Sequence, residues 1–269
     1  MRPKCKRSWM VSNNFEEEVT VTSVDGKPKK GLRRELKRII LKLSGEALCG
    51  DRSFGIGLDI VENLAIELQA VRKLGIEIGI VVGGGNFFRG AGLKDQRISR
   101  ITADQMGMMA TVINALAMVD VFNHLGVTSR ILSAVGIDGV AERYDRRRAD
   151  EYLSSGTIVV FAAGTGNPLA TTDSALCLRG IELSADLLLK ATKVHGVYSH
   201  DPQLVSDAQF YPEISYDEAL KQDLRVMDLA AFTLGREHNK KLVVFNLSKR
   251  GAILNLVKGL QEGTVIQNR

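Results

Sequence analysis

The sequence predicts an α/β fold with a largely parallel central sheet, and three observations carry that expectation. From Arg38 onward, β-rich runs alternate with amphipathic helical stretches. The run at 76–82 is apolar and β-branched without alternation, as a strand covered on both faces requires. Glycine clusters close three of the strand-like runs, at Ser44-Gly45, Gly83-Gly84-Gly85 and Gly164-Thr165-Gly166.

Taken in order, residues 39–43 form the first strand and a glycine-rich segment at 45–57 follows. Asp59 and Glu62 stand at capping-box spacing, opening a helix with Val61, Leu64, Leu68 and Val71 on one face and Gly75 at its end. The strand at 76–82 breaks at the glycine triplet. Thr102 and Gln105 repeat the capping spacing, and Met109, Val112, Ile113, Leu116, Val119 and Phe122 predict a long helix over 103–125 with its Met-rich face in the core. Strands at 128–133 and 157–162 flank a charged helical stretch at 145–153. Beyond the loop at 163–170 come a short helix ending at Arg179-Gly180 and a strand at 186–191. Residues 192–215, punctuated by Pro and Gly, read as loop. Helices near 217–222 and 228–239, a strand at 242–246 and a final helix complete the chain.

The chain's 269 residues, 45% hydrophobic and 25% charged, supply a sizeable core and exclude both a disulfide-stapled mini-protein and a largely disordered chain. Three scattered cysteines, Cys5, Cys49 and Cys177, support neither a disulfide framework nor a zinc ribbon, so a reducing, cytoplasmic compartment is expected. No uninterrupted apolar run approaches the length of a membrane span, and residues 1–38 lack a signal-peptide core, so no membrane partner is expected.

The net charge of +5 invites a nucleic-acid reading until it is located. Residues 1–38 hold eleven Lys and Arg against five acids, a balance of +6, which leaves −1 for the rest of the chain. The positive charge therefore belongs to a basic N-terminal extension over 1–37, and 38–269 reads as one catalytic domain without a nucleic-acid groove.

In parallel α/β sheets, ligands bind at the carboxyl edge of the strands, where loops without side chains let backbone N–H groups reach phosphate oxygens. The three glycine clusters fall there. Neither GxxxxGK[ST] nor a complete GxGxxG is present, so the anion cradle is neither a P-loop nor a Rossmann fingerprint. Lys42, Arg89, Asp104, Asp173 and Lys190 are the charges nearest the loops. A strand-end lysine buried in a sheet must be paired, which favours Lys42 as a phosphate ligand, while Asp104 and Asp173 also suit helix N-termini. Phosphoryl transfer gives these groups a joint use, with cations and amides offsetting phosphate charge and a carboxylate holding a lysine. The histidines show no metal-ligand spacing, so no protein-held metal site is expected.

Seven ordered blocks then carry a resemblance: ILKLSGEAL at 40–48, GGGNFFRG at 83–90, DQMGMMAT at 104–111, AGTGNP at 163–168, TTDSA at 171–175, LKATK at 189–193 and VMDLAAFTL at 226–234. Together they resemble the bacterial uridylate kinases of the amino-acid kinase superfamily, from about Arg38 to Val265. The resemblance implies a three-layer αβα sandwich, assembled as a homo-hexamer, that transfers a phosphoryl group from ATP to UMP with Mg2+. It implies catalytic roles for Lys42, Asp173 and Arg89. ATP would meet Lys42, Leu43, Ser44, Gly45, Gly85, Arg89, Thr192, Tyr198 and Asp201. UMP would meet Gly84, Asp104 and the loop Thr165, Gly166, Asn167, Pro168, Leu169, Ala170, Thr171 and Thr172. It further implies activation by GTP through Gly50, Asp51, Arg52, Ser53, Phe54 and Gly55, and feedback by UTP. The sequence departs from the family pattern at His195, at Leu169-Ala170 and at Gly57. Another acceptor for the same fold, or a non-catalytic nucleotide or oxyanion binder, are the alternatives.

Overall fold

The computed structural model describes residues 36–50, 52–88, 98–224 and 226–269. Among these, strands β1 (Arg38–Leu43), β2 (Glu77–Val82), β3 (Ser129–Ser133), β4 (Glu142–Arg143), β5 (Ile158–Ala162), β6 (Leu187–Thr192), β9 (Glu213–Ser215), β10 (Leu242–Asn246) and β11 (Thr264–Gln267) form one nine-stranded sheet, while β7 (Val197–Tyr198) and β8 (Phe210–Tyr211) pair separately. The order is β4-β3-β5-β2-β1-β6-β10-β11-β9, and every pairing is parallel except β10 with β11. The helices are α1 (Gly45–Cys49), α2 (Leu58–Lys73), α3 (Arg100–His124), α4 (Arg146–Ser154), α5 (Thr172–Glu182), α6 (Tyr216–Lys221), α7 (Leu229–Glu237) and α8 (Ala252–Val257).

The two-residue period of the strands splits the core into two halves. Ile39, Leu41 and Leu43 of β1 pack with α2, α3 and α8, while Ile40 packs with α4, α5 and α7 on the other face. Helix, sheet, helix is therefore the layering, as expected. All six residues of β1 and of β2 are buried, which explains their unbroken apolar reading.

The N-terminal edge of the sheet is closed by a buried ion pair. Arg38 donates from Nε to Glu77 at 2.6 Å and from a terminal nitrogen to the Leu183 carbonyl at 2.6 Å, and it meets Asp150 at 2.8 Å. Asp186 accepts from the backbone N–H groups of Lys37 and Arg38, fastening β1 beside β6.

Several local expectations are corrected. The first helix after β1 is α1, inside the segment read as a glycine-rich loop; Ser44 caps it by accepting from Ala47 N at 3.1 Å. Asp59 and Glu62 form no capping box: Gly57 occupies the N-cap, and Asp59 pairs with Arg52 at 3.1 Å. The long helix α3 begins three residues before the expected start, because Ser99 and not Thr102 is its cap, which places Asp104 beyond the first turn. Its stripe also divides differently. Val112 and Phe122 are buried with Ala103, Ala110, Ala115 and Met118, whereas Met106, Met109, Ile113 and Leu116 are exposed. The helix is apolar nearly all round, so spacing alone does not select the buried side. By length and composition α3 is also apolar enough to cross a membrane, but its packing on α2, β3 and β5 makes it a flanking helix of the domain. The short strands β4, β7, β8, β9 and β11 fall where the sequence reads as loop or end.

Replacing Arg38 by Leu leaves Glu77, 8% exposed, facing only the exposed Lys37 ammonium. We expect urea denaturation to show a loss of about 3 kcal/mol for Arg38→Leu, and a smaller loss when Glu77→Leu is added.

Candidate active site

Because β5, β2, β1, β6 and β10 are adjacent and parallel, their carboxyl ends share one edge. Lys42 and Lys190 are register partners on β1 and β6. Two residues earlier on each strand, Ile40 and Leu188 lie in the core beneath α5, so the apolar column gives way to two ammonium groups at its open end. Asp173, in the first turn of α5, meets both. Its Oδ1 stands 2.9 Å from Lys42 Nζ and its Oδ2 2.5 Å from Lys190 Nζ. Lys190 also donates to the Val226 carbonyl. Burial works against the ionised carboxylate, but the charges of Lys42 and Lys190 outweigh it and hold Asp173 below the usual carboxylate range. Burial, together with the nearby Lys42 charge, pushes Lys190 below the usual lysine range, against the pull of Asp173.

The N-terminus of α5 is fixed from two sides. Thr171 caps it, accepting from Asp173 N at 3.0 Å and Ser174 N at 3.3 Å. Asp228, the cap of α7, accepts from Ala231 N at 2.9 Å, from Ser174 Oγ at 3.1 Å and from the Thr171 hydroxyl.

Two glycine loops come together above Lys42. A Cβ on Gly45 would lie 2.5 Å from Gly85 N, and one on Gly84 would lie 2.7 Å from the Gly107 carbonyl and 2.8 Å from Ala110 Cβ. Packing against the neighbouring loop and α3 therefore demands glycine at both. Gly85 differs: the nearest atom to a Cβ there is Glu46 Oε1 at 3.7 Å. The loop is pinned by Asn86 and Asn114, a buried reciprocal amide pair at 2.8 and 2.7 Å. Asn114 also donates to the Gly83 carbonyl at 2.7 Å, and Asn86 to the Gly55 carbonyl at 2.9 Å. Sequence reasoning misses this pair; an Asn in the apolar run of α3, opposite a strand-end Asn, is the signal that could have found it.

The third loop, 163–171, is held on α3. Thr111 Oγ1 accepts from Ala163 N at 2.6 Å, and Asp104 accepts from Leu169 N at 3.0 Å while meeting Arg100. Thr165 Oγ1 accepts from Asn167 N at 3.2 Å, and Pro168 and Ala170 complete the turn before Thr172 opens α5. Ala163 and Leu169 have left-handed backbone, with φ of 58° and 72°, conformations that cost non-glycine residues about 1 kcal/mol or more each and cluster at functional loops.

The remaining predicted residues lie farther out. Leu43 ends β1 within the core, and the Thr192 hydroxyl faces the carbonyls of Val194 and Phe245 at 2.8 and 3.1 Å. The Tyr198 ring packs on Phe210, as does His195, and Asp201 accepts from Gln203 N at 2.9 Å. Among the described residues, no hydrogen bond ties Tyr198 or Asp201 to the Lys42 cluster. In the segment 50–55, Phe54 meets Phe87 edge to face at 5.3 Å, and Gly55 N donates to the Asn86 carbonyl at 3.2 Å, so this segment touches the loop that carries Gly85. Gly50, Arg52 and Ser53 lie in the same turn; Asp51 and Arg89 lie outside the described residues.

Two lysines sharing one carboxylate at the carboxyl edge of a parallel sheet, at strand ends that run into glycine loops, fit a phosphotransferase of the three-layer α/β class. Comparison with known proteins makes the assignment specific. The amino acid kinase family matches residues 37–246. The uridylate kinase of Colwellia psychrerythraea is 53% identical over 233 residues, 87% of this chain and 94% of the relative, and that of Chromohalobacter salexigens is 51% identical over 87% and 92%. The crystal structure of UMP kinase from Bacillus anthracis superposes with a TM-score of 0.84 at 36% identity, covering 87% of this chain and 97% of that one. The chain belongs to the amino acid kinase family, in its uridylate kinase branch.

The glycine geometry separates packing from binding. We expect Gly84→Ala to cost about 1–3 kcal/mol of stability through overpacking against α3. Gly85→Ala should melt with the parent chain yet raise the KM for ATP, because its methyl group occupies open space in the cradle.

Proposed function

We propose that the chain transfers the γ-phosphoryl group of ATP to UMP, giving ADP and UDP. The observation that carries the reading is the Lys42–Asp173 pair at the carboxyl edge of the sheet, with Lys42 two residues before the Ser44-Gly45 turn, in a chain with uridylate kinases as near-full-length relatives. The attacking group is a UMP phosphate oxygen that is already anionic, so positioning and charge stabilisation suffice without a general base. Lys42 faces the moving phosphoryl group, and Asp173 aims it. Ser44, Gly45, Gly85 and Arg89 receive ATP phosphates, with Leu43 beneath them, and Thr192, Tyr198 and Asp201 flank the adenine nucleotide. Gly84, Asp104 and the loop from Thr165 to Thr172 hold UMP; the Asp104–Leu169 contact shapes that loop before the acceptor arrives.

A magnesium ion fits this site as a companion of the nucleotide. Asp173 and Asp228, the carboxylates at the α5 terminus, already face lysines, hydroxyls and a backbone N–H, so the ion would enter with the nucleotide and take its oxygen ligands mainly from phosphate and water. When bound, it neutralises charge on the β- and γ-phosphates.

Three further features complete the reading. The exposed stripe Met106, Met109, Ile113 and Leu116 supports assembly into a homo-hexamer, because an apolar helix face of this extent suits subunit contact. Contact of segment 50–55 with the Gly85 loop supports GTP acting on the ATP side, with UTP as the opposing effector. Residues 1–37 lie outside the recognised blocks and are dispensable for catalysis in the cytoplasm, where both substrates occur.

ADP release from Mg-ATP, measured with UMP, CMP, dTMP, AMP, aspartate and carbamate in turn, with and without GTP, tests the proposal. Rapid turnover is expected with UMP alone, and deletion of residues 2–34 should leave kcat within a few-fold. Turnover with another acceptor, or with none while nucleotides still bind, contradicts it.

A further inference from the structure

Phosphoryl transfer through Lys42 and Asp173 gives Lys190 no task, yet its side chain is only 12% exposed and its ammonium is anchored twice, on Asp173 Oδ2 and on the Val226 carbonyl. A buried lysine needs an anion. Asp173 is that anion, but Asp173 already faces Lys42 through its other oxygen.

A lone buried Lys–Asp pair is neutral, and a lysine closed onto its carboxylate has little charge left for a phosphate. In this cluster two ammonium groups share one carboxylate, so the three groups carry a net positive charge. Among the described residues, Lys42 meets no other acceptor, while Lys190 is committed to two. Asp228 also faces this cluster: its charge bears on Lys190, and its oxygens accept from Ser174, Thr171 and Ala231 N, so the second carboxylate lies on the Lys190 side. The asymmetry assigns different jobs to the two lysines.

We propose that Lys190 is a positioning residue for the transfer: anchored on the Val226 carbonyl and donating to one oxygen of Asp173, it fixes the other oxygen beneath Lys42 and leaves the Lys42 charge available to the phosphoryl group. The inference rests on the phosphotransferase reading and adds to it the group that anchors Asp173 from the side away from Lys42. Lys190 reaches the reaction through Asp173 and Lys42, without touching substrate.

The test is steady-state kinetics of the full chain with Mg-ATP and UMP, together with thermal melting. Lys190→Met should lower kcat by about 30-fold or more, with both KM values and the melting temperature little changed, because the lost charge acts chiefly in the transition state. Lys190→Arg, which keeps the charge and both donors, should recover most of that loss. If Lys190→Met does not fold, Lys190→Gln serves, since it retains a donor to Asp173 and removes the charge; a drop in kcat like that expected for Met supports the proposal. A near-parental kcat in either neutral variant overturns it. So does an equal loss in the Met and Arg variants that follows the melting temperature, which marks Lys190 as a fold anchor. A parental chain that does not phosphorylate UMP overturns this inference and the phosphotransferase reading together, whereas neutral variants that work as well as an active parent overturn only this one.

Discussion

One buried carboxylate between two ammonium groups is the interaction on which the rest of the site depends. Asp173 can occupy that position only if β1 and β6 are in register, so that Lys42 and Lys190 stand level, and only if α5 begins where Thr171 and Asp228 start it. A shift of either strand by one residue would turn its lysine to the opposite face and leave the carboxylate in an apolar layer with half its compensation. The polar centre thus demands that the sheet and the α5 layer agree, and the apolar core supplies the means.

The two ends of the sheet use ionic groups differently. At the N-terminal edge, Arg38 and Glu77 are enclosed and satisfied by Leu183, Asp150 and Lys37, an arrangement that closes the end of the domain. At the carboxyl edge, Lys42 and Lys190 share Asp173, and three loops follow the strand ends there. Those loops are themselves held by α3: Asn114 grips the Gly83 turn, Thr111 holds Ala163, and Asp104 holds Leu169. A single long helix therefore sets the spacing between the loop that carries Gly85 and the loop assigned to the acceptor. This physical link joins segment 50–55, through Asn86, and the α3 helix to both loops.

Much of this architecture is legible in the sequence. Strands with both faces apolar stand out by composition, and β10 has the predicted bounds. The glycine clusters mark the carboxyl edge of the sheet, where the structure places Lys42 and Asp173, with Asp104 against the loop at 163–171. What the sequence hides has physical causes. Ser99 outcompetes Thr102 as a cap, since both offer a hydroxyl and only tertiary packing decides where a helix starts. The buried side of α3 is obscured because its outward side is equally apolar. The short edge strands carry too few residues for a period to show. Lys190 is visible as a charge near the loops, but its sharing of Asp173 depends on two strands and a helix distant in sequence, a relation that no local pattern encodes.

The most direct measurement of the central claim is a double-mutant cycle on kcat with Lys42→Met, Asp173→Asn and the combination. If Asp173 works by aiming Lys42, the double variant should lose little beyond Lys42→Met alone, leaving a large coupling energy. Losses that multiply would show that Asp173 acts independently of Lys42, and the shared carboxylate would then not be the group that aims the catalytic lysine.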